Sequence, residues 1–141
     1  ELVFADAQAK KSLEGLLHPM IRAEVALQMA AAGDAAAKGA TAPYIVLVVP
    51  LLIETGAYRN LARRVLVVDC DEHQQVTRVI QRSGLTAEAV RAIMASQVSR
   101  AHRLEHADDV VRNDGDLAAL RSAVEALHLK YLGLARKPAG M

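Results

Sequence analysis

Five arginines and one acidic residue occupy the segment between residues 78 and 103. The arginines are Arg78, Arg82, Arg91, Arg100 and Arg103, and the acid is Glu88. A guanidinium group donates a planar fork of hydrogen bonds that matches phosphate oxygens. Arg78 and Arg82 are four residues apart, so a helix would carry both on one face. The segment therefore has two interpretations, a mobile lid that closes over phosphate groups or a solvated helix face, and composition alone favours the second.

Two aspartates, Asp69 and Asp71, follow an apolar run. Phosphohydrolases of the haloacid dehalogenase type begin with such a strand and Asp-x-Asp, in which one Asp is the nucleophile and the next the general acid. A strand end followed by a helix-capping Asp gives the same pattern and is commoner. His73 adds a possible metal ligand, but no second ligand cluster supports a metal site. The start of a surface helix is the better interpretation of this metal pattern.

Three further polar positions stand where an α/β fold would bind a ligand. His18 precedes Pro19 inside a helical pattern, and a break there would present the imidazole to a cleft. Glu54 follows an apolar strand and Pro50, beyond the carboxyl end of the strand, where such folds bind ligands. Asn113 begins an Asn-Asp-Gly turn, where its amide is suited to contact an adenine edge. Each residue is also typical of an ordinary helix, loop or turn.

The composition excludes several classes of function. A net charge of +1 argues against binding to nucleic acid or to an anionic membrane. With three Tyr, one Phe and no Trp, a base-stacking or sugar-binding platform is not expected. The single cysteine, Cys70, excludes an intramolecular disulfide and indicates a reducing, cytoplasmic setting. The sequence contains neither of the phosphate-binding motifs G-x-x-x-x-G-K-[ST] and G-x-G-x-x-G, nor the nucleophile elbow G-x-S-x-G.

The spacing of apolar residues predicts the helices that must position these groups. An amphipathic helix is predicted over 7–32, with Asp6 as N-cap and a kink or split near His18 caused by Pro19. A loop follows over 33–43, although its alanines would also allow the helix to continue. The other predicted helices run from Asp71 to Gly84, over 87–97 behind an N-cap at Thr86, over 99–106, and from Asp116 onward. The stretch 51–58 is predicted to be a loop or a short helix.

Continuously apolar, β-branched runs predict three buried strands, at 44–49, 64–69 and 109–112. Strands that alternate with helices indicate an α/β fold whose parallel sheet is covered on both faces. The chain begins at Glu1 without a methionine and runs at once into Leu-Val-Phe. Three strands are also few for so many helices, so we expect an N-terminal part of the protein to be missing from this chain.

Several short segments, taken in order along the chain, resemble those of one enzyme family. They are Val3-Phe4, 16–21, 49–54, 64–69, 75–78 with 81–82, 97–100, 107–110 and 113–115. Their order and spacing are similar to those of the dephospho-coenzyme A kinases, over nearly the whole chain to about Ala135. The resemblance implies an α/β fold, part of a three-layer P-loop NTPase-type parallel sheet with helices on both faces. The resemblance also implies a helical lid and substrate-binding helices.

The resemblance also implies how the chain is divided. Residues 1–43 would form a helical segment on the substrate side, and 44–71 would hold core strands. Residues 72–106 would form the helical lid, and 107–141 a core strand and the C-terminal helix. The Walker A loop of the family and its acidic catalytic base lie upstream of the position that matches Glu1.

Members of this family transfer the γ-phosphate of ATP, with Mg²⁺, to the ribose 3′-hydroxyl of dephospho-CoA, the last step of coenzyme A synthesis. By resemblance, Arg78 and Arg82 match lid arginines that face the triphosphate, and Asn113 matches the turn near the adenine. The residues matched to the acceptor side are His18, Pro50, Leu51, Glu54 and Arg100. The magnesium ligands are expected mainly upstream, and none is assigned to this chain. ATP and dephospho-CoA are the expected partners, without nucleic acid or membrane, and a homo-oligomer stays open.

Two alternatives to a kinase remain at this point. One is a phosphohydrolase that uses Asp69 and Asp71, and the other is a non-catalytic binding domain. Without a P-loop, this chain alone is expected to be inactive as a kinase.

Overall fold

A computed structural model of the protein describes residues 7–37, 42–56 and 58–136. The chain divides into two compact units, residues 1–45 and 46–141. The predicted N-cap at Asp6 and the segment Val3-Phe4 lie outside the described residues.

The first unit contains one long helix, α1 (Ala7–Ala37). The predicted loop from residue 33 is therefore wrong over its first residues, because the alanine run there has the highest helix propensity and extends the helix. Pro19 lies inside α1, which is not split at that point. A proline removes one backbone hydrogen bond, and the remaining bonds of a helix this long hold the two sides together.

The second unit holds every other helix and strand that the structure describes. Its helices are α2 (Leu52–Thr55), α3 (Glu72–Ser83), α4 (Ala87–Ala95), α5 (Arg100–Glu105) and α6 (Leu117–Ala135). A 3₁₀ turn spans Arg59–Leu61, and the strands are β1 (Leu66–Asp69) and β2 (Asp109–Arg112). Helix α3 packs against α4, and α6 packs against β2.

The two strands pair in parallel, with Leu66 opposite Asp109 and Asp69 opposite Arg112. This confirms the predicted α/β class with a parallel sheet. The long connection from β1 to β2 contains α3, α4 and α5, as a parallel pair requires. Because both strands run the same way, Asp69 and Arg112 end at the same edge of the sheet.

The third predicted strand, at residues 44–49, is not a strand in the structure. Among the described residues, the sheet contains only β1 and β2. A strand is stabilised by hydrogen bonds to a neighbouring strand, and its apolar composition alone does not supply one. Val46 and Val48 are exposed instead, so the expectation that this run is buried is also wrong.

Capping groups fix where the helices of the second unit begin and end. Asp71 caps α3 by accepting a hydrogen bond from the backbone N–H of His73, and Gly84 ends it in the left-handed conformation. Thr86 and Asp116 cap α4 and α6 through the N–H groups of Ala89 and Ala119. These predicted caps are confirmed. Ser99 caps α5 in the same way, and α4 ends two residues before the predicted Gln97.

The core that the described residues form is small. Val65, Val90 and Val111 are its buried apolar side chains. Leu66, Val68 and Val110 of the sheet are exposed, so the predicted cover on both faces of the sheet is not found among the described residues. None of the described helices combines the length and the apolar character needed to cross a bilayer.

Candidate functional site

The carboxyl edge of the sheet gathers polar groups from both strands. β1 ends at Asp69, and the turn Asn113–Asp114–Gly115 follows β2. The backbone N–H of Asn113 donates to the carbonyl oxygen of Asp69 over 2.7 Å. The turn is thereby tied directly to the end of the neighbouring strand, at the edge where α/β folds bind ligands.

Asp69 is the buried centre of this edge, with its side chain 4% exposed. Its Oδ1 and Oδ2 accept hydrogen bonds from Nε and Nη2 of Arg100, each over 2.7 Å. Arg112 donates a further bond from Nη1 to Oδ2 over 2.9 Å. The hydrogen bonds from Arg100, opposed by burial and aided by the charge of Arg112, lower the pKa of Asp69. Asp69 is therefore a firmly ionised anchor for two arginines.

This arrangement gives no support to the phosphohydrolase alternative. Both carboxylate oxygens of Asp69 accept hydrogen bonds from guanidinium groups. These bonds make the carboxylate a poorer nucleophile than the phosphohydrolase reaction needs. Asp71 points its Oδ1 at the backbone N–H of His73, 2.9 Å away, as an N-cap does. The two aspartates thus have separate structural tasks.

Arg112 extends the network to the turn. Its Nη2 forms an ion pair with Asp114, and this contact lowers the pKa of the Asp114 carboxyl. Gln74 of α3 donates from Nε2 to the backbone oxygen of Asp114 over 3.2 Å. The turn is consequently held from two directions, by β2 and by α3.

Arg78 and Asn113, both expected from the resemblance to contact ATP, lie against each other. Nη1 of Arg78 donates to the backbone oxygen of Asn113 over 2.6 Å. Arg78 is exposed, and an open groove beside it is lined by one face of α3, formed by His73, Gln74, Thr77, Arg78 and Gln81. Arg82 lies one turn further along α3, where its Nε donates to Oγ of Ser83 over 3.5 Å.

The residues predicted for the acceptor side are spread over both units. Leu51 immediately precedes α2, with Pro50 before it, and Glu54 is a half-buried residue within that helix. His18 is an exposed residue of α1, and its carbonyl oxygen accepts a hydrogen bond from Arg22 Nε over 3.3 Å. Arg100, the fifth, is bound to Asp69. The assignment of His18 and Glu54 to the acceptor side stays a prediction.

The opposite, amino edge of the sheet carries a second ionic cluster that the sequence analysis missed. Asp109, the first residue of β2, accepts hydrogen bonds from Nε of Arg64 over 2.7 Å and from the Tyr131 hydroxyl over 3.1 Å. Lys130 of α6 pairs with the same carboxylate. These bonds, with Arg64 contributing most, outweigh burial and lower the pKa of Asp109 to about 2.

Asp108, the residue before this strand, completes the amino-edge cluster. Its Oδ2 accepts from the backbone N–H of Val65 over 2.7 Å, and its backbone oxygen accepts from Nη2 of Arg64 over 2.9 Å. The only sequence signal for this cluster is a pair of acids at the start of a strand, and the partners lie tens of residues away. Its position away from the turn and the groove indicates a structural role.

Comparisons with known proteins identify related sequences. A profile of the dephospho-CoA kinase family matches residues 1–119. Curated relatives described as dephospho-CoA kinases include one from Nitrosospira multiformis, 50% identical over 135 residues, which span 96% of this chain and 64% of the relative. Another, from Methylococcus capsulatus, is 52% identical over 134 residues, 94% of this chain and 63% of the relative.

Two solved structures are similar to this fold. The crystal structure of TT1252 from Thermus thermophilus has a TM-score of 0.71 at 29% identity, covering 92% of this chain and 63% of that one. A dephospho-CoA kinase from Campylobacter jejuni has a TM-score of 0.62 at 31% identity, covering 94% and 63%. This chain spans less than two thirds of the length of these relatives and structures. On the profile and the identities together, the chain belongs to the dephospho-CoA kinase family.

Proposed function

We propose that this chain provides the arginine lid and the base-side turn of a dephospho-CoA kinase. The reaction transfers the γ-phosphate of ATP to the 3′-hydroxyl of dephospho-CoA. One observation carries the proposal: the guanidinium of Arg78 donates to the backbone oxygen of Asn113 over 2.6 Å, at the carboxyl edge of the sheet. The side chain proposed for the phosphates and the turn proposed for the adenine therefore lie at the same edge of the sheet, which supports a role for both in binding one nucleotide.

Arg78 is the group proposed to stabilise charge on the transferred phosphoryl group. Phosphoryl transfer depends on positioning and on electrostatic stabilisation far more than on covalent chemistry. A guanidinium has five N–H donors, so the bond to Asn113 leaves others for phosphate oxygens. Arg82, on the same helix face, would add a second cation when the lid closes and excludes water.

Asn113 is proposed to bind the adenine edge through its side-chain amide. This role needs a turn that does not shift when the nucleotide enters. Four contacts hold it: the Asn113 N–H to Asp69, Arg78 to Asn113, Gln74 to Asp114, and Arg112 to Asp114. Such preorganisation reduces the entropy lost on binding.

By the family resemblance, the residues proposed to contact the acceptor are His18, Pro50, Leu51, Glu54 and Arg100. Arg100 uses Nε and Nη2 for Asp69, so the remaining N–H groups of its guanidinium are those available to dephospho-CoA. Its first task is therefore positioning, because it holds the end of β1 against the N-terminal end of α5.

The carboxylates at this edge do not fit a magnesium site. Mg²⁺ prefers free oxygen ligands, whereas Asp69 is bound by two arginines, Asp114 by Arg112, and Asp71 caps α3. Among residues 7–37, 42–56 and 58–136 we therefore assign no magnesium ligand, and no step of the reaction is derived through the ion.

A fusion protein tests the proposed activity. The part of the Nitrosospira multiformis relative that precedes its matched region, where the family resemblance implies a Walker A loop, is joined ahead of Glu1. With ATP and dephospho-CoA, this fusion should release ADP and form coenzyme A in equal amounts, and omission of dephospho-CoA should stop ADP release. A folded fusion that yields no coenzyme A would contradict the proposal.

The same fusion separates the kinase from the phosphohydrolase. A hydrolase that uses Asp69 as nucleophile would release inorganic phosphate from a phosphomonoester and would lose that activity entirely in Asp69→Asn. A kinase should release none, and Asp69→Asn should leave part of its coenzyme A formation, because Asp69 acts on the fold and not on the transferred group.

A further inference from the structure

Three side chains with metal-binding atoms come together at the end of α5, away from the groove of α3. They are His102, Glu105 and His106, and one ligand atom from each lies within 4.8 Å of the other two. All three residues are exposed, so an ion would reach them without any opening of the fold. Neither the kinase assignment nor the proposed lid gives these residues a task.

The spacing explains why they converge. Residues three and four positions apart lie on one face of a helix, and the sequence here is His-x-x-Glu-His. Nδ1 of His102 is 3.7 Å from Oε2 of Glu105, and the two imidazole rings are 4.3 Å apart at their centres. Ligands around a tetrahedral ion at about 2.1 Å lie roughly 3.4 Å from each other. Small rotamer changes of exposed side chains cover the difference.

The ring of His106 is restrained by a hydrogen bond to its own helix. Its Nδ1 lies 2.9 Å from the backbone oxygen of His102, and a carbonyl can only accept a hydrogen bond. Nδ1 is therefore the donor of this bond, and Nε2 is the ring nitrogen that the bond does not use. Metal-binding histidines are usually held in this way by a hydrogen bond from the second ring nitrogen.

The ligand set selects the kind of metal. Two imidazole nitrogens and one carboxylate oxygen suit Zn²⁺, Ni²⁺ or Cu²⁺ better than Mg²⁺ or Ca²⁺, which prefer oxygen. Arg103, the nearest cation along the helix, donates from Nη1 to the backbone oxygen of Val98 over 2.7 Å. Its guanidinium is thereby held at the amino end of α5 instead of competing with an ion at the carboxyl end.

From these contacts we propose that His102, Glu105 and His106 bind one divalent transition-metal ion of the zinc class. The ion would join these three side chains at the end of a helix of six residues, a length that is marginal without support. Arg100 begins the same helix and holds Asp69. Metal binding would accordingly stabilise the element that carries this anchor.

Isothermal titration calorimetry of the untagged full chain with ZnCl₂ tests the site. We expect one zinc ion per chain, and a weakening of roughly 10- to 100-fold or more in His102→Ala and in His106→Ala. Glu105→Gln should weaken binding less, because an amide oxygen remains a weaker ligand. Circular dichroism checks that each variant stays folded, which surface substitutions allow.

Two further variants, at Cys70 and His73, serve as controls. Cys70→Ser and His73→Ala should bind zinc as tightly as the parent chain. Absence of zinc binding by the folded parent chain would overturn the proposal. So would a site that survives in the His102→Ala/His106→Ala double variant or that disappears with Cys70 or His73.

Discussion

Asp69 and Arg100 are joined by two parallel hydrogen bonds of 2.7 Å, one to each carboxylate oxygen. The two residues lie 31 positions apart, at the end of β1 and at the start of α5. The pair closes the connection between them, which includes the whole of α3 and α4. It also fixes the place from which the turn at Asn113 is held, because Asp69 binds that turn through its backbone oxygen.

We expect Asp69→Asn to lower the free energy of unfolding by about 2 kcal/mol. The loss lies below the 3–5 kcal/mol typical of a fully buried pair, because Arg112 is half exposed and can be rehydrated. Urea denaturation measures the change. Asp71→Asn is the matched control and should be neutral, since Asn caps a helix as well as Asp does. Equal stability of the two variants would show that the Arg100 pair adds little.

Arg78→Ala, placed in the active fusion, should lower kcat roughly 10³-fold, at the low end for an arginine that stabilises a transferred phosphoryl group. Arg78→Lys should restore only part of the activity, because an ammonium lacks the planar fork. KM for dephospho-CoA should change much less than kcat. Steady-state kinetics gives both values.

Arg91→Ala is the control for Arg78. Arg91 lies on α4, is exposed and belongs to the same segment, so its loss should be nearly neutral. If Arg78→Ala keeps kcat within a few-fold of the parent, Arg78 is part of a solvated helix face and the lid interpretation fails.

Acid should destabilise the second unit through its buried carboxylates. The pKa of Asp109 is lowered from 3.8 to about 2 in the folded chain. A depressed folded pKa means that the stabilisation is complete above the unfolded value and is lost as the pH falls through the folded one. The urea midpoint should therefore fall between about pH 4 and about pH 2.

Asp109→Asn tests the source of this pH dependence. The variant should be less stable at neutral pH and should show a flatter decline in acid, because one of the groups that bind protons on unfolding is gone. A decline as steep as that of the parent would assign the effect to Asp69 and Asp114, whose pKa values are also lowered.

Gly84→Ala should destabilise the chain by about 1 kcal/mol. Gly84 ends α3 with a φ of 65°, and a methyl group there would meet nothing within 4 Å. The cost is therefore that of the left-handed backbone alone. Gly133→Ala is the comparison, since that glycine lies inside α6 with equal space. It should stabilise by up to about 1 kcal/mol, and thermal unfolding distinguishes the two signs.

ATP should bind this chain weakly, in the millimolar range or above. The sequence has no glycine-rich loop whose N–H groups would surround a triphosphate. Calorimetric titration of the 141-residue chain with Mg-ATP measures it. Tight binding that depends on magnesium would contradict both this expectation and our assignment of no magnesium ligand.

The elements that depend on local chemistry were predictable from the sequence. Asp71, Thr86 and Asp116 cap helices where expected, and β2 spans the predicted residues. The strand predicted at residues 44–49 was wrong, because apolar composition does not reveal whether a partner strand is present. A strand forms only when two segments pair through hydrogen bonds, and the apolar pattern of one segment does not identify its partner.

For the candidate site, the sequence indicated individual residues but not which of them contact each other. Arg78 and Asn113 were each identified, yet nothing in the sequence indicated that they touch. Arg112 was missed altogether, because an arginine at the end of a short strand has no distinguishing pattern. Its importance comes from contacts to Asp69 and Asp114, which exist only after the strands are paired.

The parallel pairing of β1 with β2 has a consequence for the rate at which the chain folds. A hairpin can form from neighbouring residues, whereas these strands meet only after residues 70–108 have been brought round between them. Closing that connection costs entropy before any sheet contact repays it. Topologies with such distant pairings fold slowly, so substitutions that loosen α3 to α5 should slow refolding as well as speed unfolding.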